Sequence, residues 1–443
     1  LRYHIFNEVY SSGSRSLCTS TKGPLSGIRV VDFSRVLAGP YCSQLLGDLG
    51  AEVIKIEQPH NGDDTRSWGP PFKNGESAYF ISCNRNKMSI ALNLKVPQSR
   101  VILDRLLTKA DVLLENFLTG KPNEFGFGYE HASSINPRLV YCTISGFGST
   151  GVYKDKPGYD GIISAMYGLQ HITGERGGGP VRAGVALTDI LTGLMAYGAI
   201  NAALLERTVS GKGQRIETSL METQLSALVN VASNYLITGK DTSKRWGTGH
   251  PSIVPYQTFA CAGDGYMFVA IGNDAQFKAL CEALQACGVL TQDEQEILFS
   301  ENRNGEKRAV SEKFSTNANR VKHREVLEPL LQTILLRQDV RFWDASFDKL
   351  GFPYGPVRSV EEALCCPQAK ARNMVQNVHH PQCGDIQVVA PPVKFSRTPC
   401  SIRSPPPLLG EHTGHILESV LGFSQDEISS FLECGAVSHH HQI

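Results

Sequence analysis

The stretch IRVVDFSRVLAGPYCSQLLGDLGAEVIKIE, at residues 28–57, decides the fold class. It contains an apolar run at 28–33, a turn through Ala38-Gly39-Pro40, a helical pattern over 41–49 and a second apolar run at 52–56. Two short apolar runs that flank a helical segment predict a β-α-β unit, whose two strands are parallel. Because parallel sheets are buried on both faces, the pattern predicts an α/β fold with helices on either side of a sheet.

The same alternation continues downstream of this unit. Strand patterns follow near 89–94, 111–114, 139–144 and 214–219. Helical patterns lie over 98–107, 160–169, 189–206 and 222–236. We therefore predict that residues 23–236 form one large, doubly wound α/β domain.

The composition changes after residue 236. Residues 240–250 are polar and contain glycine, 266–271 resemble a strand, and 301–325 form a charged stretch with a helical pattern. We predict a smaller α/β domain over 250–360. Six prolines between 391 and 407 disfavour regular structure, so we predict that 361–437 is an extended segment that returns to the large domain.

The overall composition is that of a globular protein that does not bind nucleic acid. The chain has 443 residues, with 43 Lys plus Arg against 43 Asp plus Glu, and this balance argues against a nucleic-acid binder. The most apolar stretch, 190–205, is shorter than the roughly 18 residues that a membrane span needs, so we predict a buried helix and no membrane span. The twelve cysteines lack metal-site spacing, so no metal is predicted and a reducing compartment is favoured.

The first 22 residues resemble the end of a mitochondrial transit segment. They contain three basic residues and five serines but one acidic residue. An unstructured leader is the alternative interpretation. We expect a mitochondrial protein, with the cytoplasm or the peroxisome as alternatives.

One dinucleotide-like motif, GFGSTG at 146–151, follows a predicted strand. A Rossmann fingerprint must open a helix, but residues 152–157 have no helical period, so the motif does not predict NAD binding. The sequence also contains no G-x-S-x-G elbow and no Walker phosphate loop. Hydrolase and nucleotide-hydrolysing activities therefore lack their central residues.

Two other features have both a functional and an ordinary interpretation. Asp189 opens an apolar helix, where free backbone amides favour an ionised carboxylate that could act as a nucleophile. An aspartate at this position is also a common helix cap. The loop Gly247-Thr248-Gly249-His250 could present backbone N–H groups to an oxyanion, or it could be a simple turn.

Seven strings in order along the chain resemble the family III CoA-transferases, which include formyl-CoA and carnitine CoA-transferases. They are SRVLAGP at 34–40, AEVIKIE at 51–57, ENF at 115–117, SGFG at 145–148, PGYD at 157–160, DILTG at 189–193 and LGEHT at 409–413. The resemblance implies a Rossmann-like large domain, a small domain and a homodimer of two subunits interlocked as linked rings.

In this resemblance Asp189 matches the catalytic aspartate of the family. Its carboxylate would attack a donor acyl-CoA to give a mixed anhydride, and the released CoA would then form an aspartyl-CoA thioester. The partners would be an acyl-CoA and a carboxylic acid, with the CoA thioester as a substrate and no permanently bound cofactor.

The resemblance also assigns the residues around the substrate. CoA would lie along Val36, Leu92, Asn93, Leu94, Lys95, Asn116, Phe117, Tyr159 and Asp160. Leu37, Ala38, Gly247, Gly249 and His250 would contact or close over the acyl intermediate. An arginine of the family's CoA site falls at Glu124, so we propose Lys121 as its replacement.

Together with the mitochondrial-type leader, the resemblance to this family implies succinyl-CoA as donor and a dicarboxylic acid, such as glutarate or hydroxymethylglutarate, as acceptor. Formyl-CoA transferases have a glutamine at the position of Leu37 and an arginine at that of Gln58, so formyl or oxalyl transfer is not expected. A buried second carboxylate needs a cation or several hydrogen-bond donors, and the candidate cations are Arg66, Arg182 and Arg245.

Two alternatives stay open from the sequence. The α-methylacyl-CoA racemases of the same superfamily need a histidine where this chain has Tyr159, and tyrosine is a poor base at neutral pH. A non-catalytic acyl-CoA-binding protein is the second alternative, and it would bind without exchange.

Overall fold

The computed structural model describes residues 22–300 and 309–438, so the predicted leader lies outside the described residues except for Lys22. In these ranges the strands are β1 (Arg29–Asp32), β2 (Glu52–Glu57), β3 (Phe72–Lys73), β4 (Glu76–Ser77), β5 (Lys87–Leu92), β6 (Val112–Glu115), β7 (Val140–Ser145), β8 (Arg215–Ser219), β9 (Tyr256–Ala260), β10 (Tyr266–Ala270), β11 (Phe299–Ser300), β12 (Ala309–Val310), β13 (Tyr354–Pro356), β14 (Val375–His380), β15 (Gly384–Val389) and β16 (Val437–Ser438).

The α-helices of the same ranges are α1 (Ala38–Asp48), α2 (Ala78–Ser82), α3 (Ser99–Lys109), α4 (Lys121–Phe125), α5 (Tyr129–Ile135), α6 (Asp160–Met166), α7 (Leu169–Ile172), α8 (Leu187–Ser210), α9 (Leu220–Ala227), α10 (Val229–Thr238), α11 (Asp274–Ala286), α12 (Gln292–Leu298), α13 (Asn317–Lys322), α14 (Arg324–Leu335), α15 (Val340–Phe347), α16 (Val360–Cys365), α17 (Pro367–Ala371), α18 (Thr413–His415) and α19 (Gln425–Glu433). Asp64–Ser67 and Glu312–Phe314 are short 3₁₀ segments, and Ile416–Val420 is a π-helical segment.

A seven-stranded sheet forms the centre of the first compact unit, which comprises residues 22–158, 189–223 and 373–438 of the described chain. Its strand order is β16-β5-β2-β1-β6-β7-β8. All neighbours are parallel except β16, which pairs antiparallel with β5. The six parallel strands follow the Rossmann order, which reverses between β1 and β6. This confirms the predicted α/β class.

Apolar side chains of the parallel strands form the core of this unit. Val31, Ile54 and Leu113 are fully buried, and they belong to one cluster with side chains of α3 and of the C-terminal segment. The β16 strand closes the sheet edge, where Val437 pairs with Leu92. No helix or strand occurs between β15 and α18, the stretch that contains the six prolines. The rest of the predicted extended segment, 361–437, contains α17, the β14–β15 hairpin and α19, so that prediction is wrong outside the proline stretch, because proline disfavours regular structure only near its own position.

The second compact unit comprises residues 159–188 and 224–372, with 301–308 outside the described residues. It contains the antiparallel sheet β13-β10-β9, and its core includes Phe259, Met267, Phe277, Leu331 and Trp343. The core itself spans residues 254–352, close to the predicted small domain of 250–360. The unit also contains residues 159–188 and 224–236, which we predicted to belong to the large domain. The chain therefore enters this unit twice, and the periodicity of the sequence does not show where it passes from one unit to the other.

Two predicted helices differ from the observed ones. The pattern over 222–236 forms two helices, α9 and α10, and the break lies at Val229, whose φ of 43° is left-handed. The charged stretch 301–325 is not one helix: 309–316 contain β12 and a 3₁₀ segment, and helix begins only at Asn317. Residues 301–308 of that stretch lie outside the described residues.

Helix α8 extends the predicted helix 189–206 at both ends and has 24 residues. Among the described helices it alone is long and apolar enough, by length and composition, to cross a membrane, a test that core helices of globular proteins also pass. Ala196 and Ile200 are fully buried, whereas Leu205 is 71% and Val209 88% exposed. The prediction of a buried helix is therefore wrong for one face, because apolarity in the sequence does not show which side is covered.

Candidate active site

The turn between β1 and α1 lies at the carboxyl edge of the first unit's sheet. Its Val36 has a φ of 72°, in the left-handed region. A side chain branched at Cβ is strongly disfavoured there, so neighbouring groups must hold the conformation. Ligands of open α/β sheets bind in the crevice where the strand order reverses, and this turn follows β1 at that point.

A buried ion pair holds two backbone groups of this turn. Lys55 Nζ donates to the Ser34 carbonyl at 2.8 Å, and the Val36 N–H donates to Asp63 Oδ1 at 3.2 Å. The Lys55 ammonium and Asp63 Oδ2 are 2.9 Å apart, and both side chains are fully buried. Burial alone would raise the pKa of Asp63, but Lys55 and the hydrogen bonds from Thr65 outweigh it and lower the pKa to about 2.

The ammonium of Lys55 is also surrounded by further carboxylates. Burial would lower its pKa, but Asp63, Asp32 and Glu57 together raise the pKa above the ordinary value. Asp32, the last residue of β1, is paired with Lys87 at 3.4 Å and accepts from Ser43 at 2.5 Å. A network of buried ionised groups therefore holds the turn in place.

Asn116 fixes the middle of the same turn. Its Oδ1 accepts from the Arg35 N–H at 3.0 Å, and its Nδ2 donates to the Arg35 carbonyl at 2.8 Å. The next residue, Phe117, packs edge-on against Phe127 and donates its N–H to Glu115 Oε2 at 2.8 Å. Burial raises the pKa of Glu115 to about 7. The side-chain amide of Asn116, which we predicted to contact CoA, is thus already committed to the turn.

Asp189 lies in the first turn of α8 and is 8% exposed. Gly193 follows it by four residues and therefore lies on the same face of the helix. A Cβ atom on Gly193 would lie only 2.6 Å from the Ala38 carbonyl oxygen, so α8 packs closely against the first turn of α1. The fold thus places Asp189 on the helix face that packs against Ala38, one of the predicted substrate residues.

In the second unit, Asp160 performs a capping role. It is buried, and its Oδ1 accepts from the backbone N–H of Thr188 at 2.8 Å, at the start of α8. Its neighbour Tyr159 is 57% exposed. The two residues predicted to bind CoA therefore differ, because one satisfies a helix terminus and the other presents its ring to solvent.

The predicted glycine loop also lies in the second unit. Gly247 has a φ of 60° and donates its N–H to the Gly174 carbonyl at 2.9 Å. A Cβ on Gly249 would lie 2.9 Å from Arg176 Nη2, so this glycine allows a close approach.

Arginines support the end of this loop. Arg324 Nη2 donates to the carbonyls of His250, at 3.1 Å, and Pro251, at 2.7 Å. Arg324 and Arg176 both lie over the Trp246 ring, with 4.7 and 5.2 Å from guanidinium carbon to ring centroid. His250 Nδ1 is close to the Ser252 N–H, at 3.0 Å. The loop therefore rests mainly on backbone and cation-π contacts.

The remaining predicted CoA residues form two groups at the sheet edge. Leu92 is buried in the core, whereas Asn93 and Leu94 are half-buried and Lys95 is exposed. Lys121, proposed to replace a missing arginine, forms an exposed ion pair with Glu124 at 2.6 Å. Glu124, which occupies the position of the family's arginine, therefore neutralises the positive charge of Lys121.

The three candidate arginines have different partners. Arg66 is bound by both oxygens of Glu57, at 2.8 Å each, and Arg245 donates to the carbonyls of Gly178 and His171. Arg182 is exposed and has no hydrogen-bond or ion-pair partner within the described ranges. Of these three guanidinium groups, that of Arg182 is the one available to a ligand.

Sequence reasoning missed Lys55 and Asp63. They are separated in sequence from the turn they hold, and an ion pair between such residues has no local signature. The same described ranges contain no cluster of three or more His, Cys, Asp or Glu side chains that could hold a metal.

Comparison with known proteins identifies the family of this chain. The model of CoA-transferase family III matches residues 25–413. The chain belongs to CoA-transferase family III. It is therefore an enzyme, a CoA-transferase, and its substrates include a CoA thioester.

Two mammalian CoA-transferases are similar to this chain over nearly its whole length. The succinyl-CoA:glutarate CoA-transferase of Mus musculus is 44% identical over 432 residues, covering 98% of this chain and 94% of that protein. The Homo sapiens succinyl-CoA:glutarate CoA-transferase is 43% identical over 417 residues, covering 94% and 90% respectively. The crystal structure of a CAIB/BAIF family protein from Brucella suis has a TM-score of 0.78 and 39% identity, covering 90% of this chain and all of that one.

Proposed function

We propose that this CoA-transferase moves CoA from succinyl-CoA to glutarate, with Asp189 as the covalent nucleophile. The observation that carries the proposal is the position of Asp189 in the first turn of α8, on the face packed against the start of α1. Two relatives at 43–44% identity that are named succinyl-CoA:glutarate CoA-transferases support the choice of substrates.

The reaction divides into an exchange and its reverse. An oxygen of Asp189 attacks the succinyl carbonyl, the C–S bond breaks, and a mixed anhydride forms as CoA leaves as a thiolate. The thiolate then attacks the Asp189 carbonyl carbon, which releases succinate and leaves an aspartyl-CoA thioester. Glutarate attacks this thioester, and the returning thiolate converts the resulting anhydride into glutaryl-CoA and free Asp189. Each step exchanges one nucleophile for another, so no net proton transfer is needed.

The local environment suits this role. Free N–H groups at the start of a helix favour a negative charge in its first turn, which keeps a carboxylate ionised. Low solvent exposure limits attack by water on the anhydride and thioester. Asp189 has both properties, because it lies in the first turn and is largely buried.

CoA would lie along the carboxyl edge of the sheet, across Val36 and residues 92–95, with Phe117, Lys121, Tyr159 and Asp160 as further contacts. The Rossmann strand order favours ligand binding at this edge. Leu37, Ala38 and the loop at 247–250 would contact the acyl group.

Arg182 would hold the second carboxylate of the dicarboxylic acid. Its guanidinium group has no partner within the described ranges, whereas Arg66 and Arg245 are committed to other groups. Hydroxymethylglutarate has the same two carboxylates and would be a second acceptor. Arg182→Gln should raise the KM for glutarate about tenfold, the loss expected for one charged hydrogen bond, and leave the affinity for free CoA unchanged. The matched loss of an exposed cation, Lys240→Gln, should change neither quantity, and equal effects on glutarate and acetate would exclude this role of Arg182.

The enzyme would act as a homodimer in the mitochondrion. Several large apolar side chains are exposed in the described chain, among them Leu205, Val209, Leu236 and Ile237. Exposed apolar surface of this kind is typical of subunit contacts. Sedimentation velocity would test the dimer, and fractionation of expressing cells would test the location.

Product analysis by mass spectrometry tests the central proposal. Succinyl-CoA is incubated with glutarate, hydroxymethylglutarate, acetate or no acid, and new acyl-CoA is measured. Wild type should form glutaryl-CoA, and Asp189→Asn should reduce its formation at least about a thousandfold, because an amide is a poor nucleophile.

Glu222→Gln supplies the matched control, since Glu222 is an exposed carboxylate in the first turn of α9. This variant should retain wild-type transfer. Exchange of the α-proton of a 2-methylacyl-CoA without any transfer would instead favour racemase chemistry. Binding of succinyl-CoA with neither reaction would favour a non-catalytic protein.

A further inference from the structure

The turn at residues 34–36 has an arrangement that CoA binding by itself does not explain. A valine occupies a left-handed position, and a fully buried lysine and aspartate are attached to the backbone on either side of it. Buried ion pairs lose hydration and are weak contributors to stability, so their presence is better explained by a geometric role.

We propose that Asp63 and Lys55 are positioning residues that set the β1–α1 turn for acyl-CoA binding. This inference rests on the proposed function, because it assigns a purpose to the turn that carries Val36, Leu37 and Ala38. Neither residue touches the reacting atoms in this proposal. They act through the backbone of the turn.

The first step of the argument is the strain at Val36. A non-glycine residue in the left-handed region is unfavourable, and one branched at Cβ especially so. The Val36 N–H points to Asp63 Oδ1 at 3.2 Å, a bond to a charged acceptor that compensates for the strain. Without that acceptor the turn would relax toward an extended or right-handed conformation.

The second step is that Asp63 is itself held from several sides. Its Oδ1 also accepts from the N–H and hydroxyl of Thr65, at 3.0 and 2.8 Å. Its own N–H donates to Glu57 Oε2 at 3.0 Å, and Glu57 is clamped by Arg66. The acceptor for Val36 therefore has little freedom to move.

The third step concerns Lys55, which links the carboxylate to the other end of the turn. Its ammonium lies 2.9 Å from Asp63 Oδ2 and 2.8 Å from the Ser34 carbonyl. The Lys55–Asp63 pair therefore holds two backbone groups of the turn, the Ser34 carbonyl and the Val36 N–H. Two fixed points in one short turn define the direction in which the chain enters α1.

The final step connects the turn to the nucleophile. The first turn of α1 packs against α8 at Gly193, one helical turn after Asp189. A shift of the β1–α1 turn would therefore move Leu37 and Ala38 relative to the carboxylate that must meet the thioester.

The test compares Asp63→Ala and Asp63→Asn with Asp48→Asn. Asp48 is also a buried carboxylate, paired with Arg85 at 2.6 Å, but it ends α1 and does not contact the turn. Four quantities are measured for each variant: the KM and kcat for succinyl-CoA with glutarate, the Kd for CoA by calorimetry, the Tm, and amide hydrogen exchange of the peptide that contains Val36.

Asp63→Ala should raise the KM for succinyl-CoA and the Kd for CoA about tenfold with a smaller change in kcat, and should accelerate exchange at Val36. Asp63→Asn retains an oxygen acceptor for the Val36 N–H, so its effect should be about threefold and its exchange closer to wild type. Asp48→Asn should lower the Tm without changing the KM.

The positioning role is overturned if both Asp63 variants bind CoA as wild type does, or if Asp48→Asn raises the KM as much. If Asp63→Ala does not fold, unchanged affinity and exchange in Asp63→Asn would overturn it alone. Failure of the proposed function is a separate result, namely wild-type protein that binds CoA but transfers it to no acid. The calorimetric and exchange measurements keep their meaning in that case.

Discussion

Two loops of this enzyme adopt left-handed backbone by opposite means. The turn after β1 places Val36 at a φ of 72° and holds it with a fully buried ion pair. The loop at 247–250 places Gly247 at a φ of 60° and rests on a backbone carbonyl and on arginines over Trp246. A side-chain network is needed where the residue resists the conformation, whereas glycine adopts it at little cost.

The difference has a practical consequence for mutagenesis. The first loop depends on residues far away in sequence, so substitutions at those distant positions should alter it. The second loop depends on the absence of a side chain, so substitutions within it should act by direct collision. The four predictions below are ordered by their expected effect on CoA transfer.

The largest effect is expected from Gly193→Ala, in the part of α8 that packs against α1, the helix that follows the first loop. Gly193→Ala would place a Cβ 2.6 Å from the Ala38 carbonyl oxygen, and backbone cannot yield easily. We expect transfer to fall about a hundredfold, as in other small displacements of reacting groups. The kcat with succinyl-CoA and glutarate measures it.

Gly198→Ala is the matched control in the same helix. No atom lies within 4 Å of a Cβ built at this glycine, and alanine favours helix by about 1 kcal/mol. Its activity should be close to that of wild type. A similar loss in both variants would mean that helix composition, and not the contact with Ala38, controls transfer.

A smaller effect is expected in the glycine loop. Gly249→Ala would bring a Cβ to 2.9 Å from Arg176 Nη2, but this neighbour is the flexible end of a side chain. We expect about a tenfold lower kcat, less than for Gly193→Ala, because the arginine can move aside.

Gly239→Ala controls for backbone conformation in the same unit. Gly239 has a φ of 67°, and a Cβ added there would meet no atom within 4 Å, so only stability should change, by about 1 kcal/mol. An equal loss of kcat in the two variants would show that lower stability of this unit, and not the collision with Arg176, reduces kcat.

Val36→Gly tests whether the first loop can keep its left-handed conformation with a glycine, as the loop at 247–250 does. Glycine removes the strain at this φ but loses the valine side chain and adds freedom to the unfolded chain. We expect the free energy of unfolding to change by less than about 1 kcal/mol, while the KM for succinyl-CoA rises about threefold. A wild-type KM would indicate that glycine reproduces the geometry without the valine.

The smallest effect on transfer is expected at Glu115, beside the first loop. Its pKa is raised to about 7 by burial, with Glu217 adding to the shift and Thr143, Phe117 and Arg215 opposing it. The folded protein therefore binds this proton more tightly than the unfolded chain, and stability is lost as the pH rises from about 4.5 through 7. Glu115→Gln should remove that loss, so the variant should gain on the order of 2 kcal/mol over wild type between pH 5 and 8.

This gain is measured by denaturant unfolding at pH 5 and pH 8, monitored with a spectroscopic signal that comes from the first compact unit. The kcat of Glu115→Gln at pH 7 should remain within about twofold of wild type, because Glu115 contacts Phe117 and not the reacting groups. A gain of the same size at pH 5 would contradict the proposed titration.

The sequence was sufficient for the architecture and for the position of Asp189. Alternating strand and helix periods depend on local residues, and β1, α1 and β2 lie within a few residues of their predicted bounds. The apolar helix with an aspartate at its start is likewise a local pattern. The break at Val229 is not, because no glycine or proline marks it in the sequence.

The supports of the site were beyond sequence reasoning. Lys55 has the pattern of a polar residue in an amphipathic strand, and Asp63 that of a turn residue, yet the fold buries them as a pair. The resemblance to the family implies that Asn116 contacts CoA, and no local pattern shows that its amide also binds the backbone of Arg35. Such pairings arise when strands neighbour each other in space, which a linear pattern does not record.

The antiparallel strand β16 has a consequence for synthesis of the chain. It covers the free edge of β5 by pairing Val437 with Leu92, so the ribosome must add more than 300 residues before that edge is closed. At about 5–20 residues per second, the wait is roughly 20–70 s. An uncovered strand edge is a template for pairing with another chain, so the nascent protein should depend on chaperones during this interval. Loss of the last strand should therefore reduce the yield of soluble enzyme more than it reduces the activity of the molecules that fold.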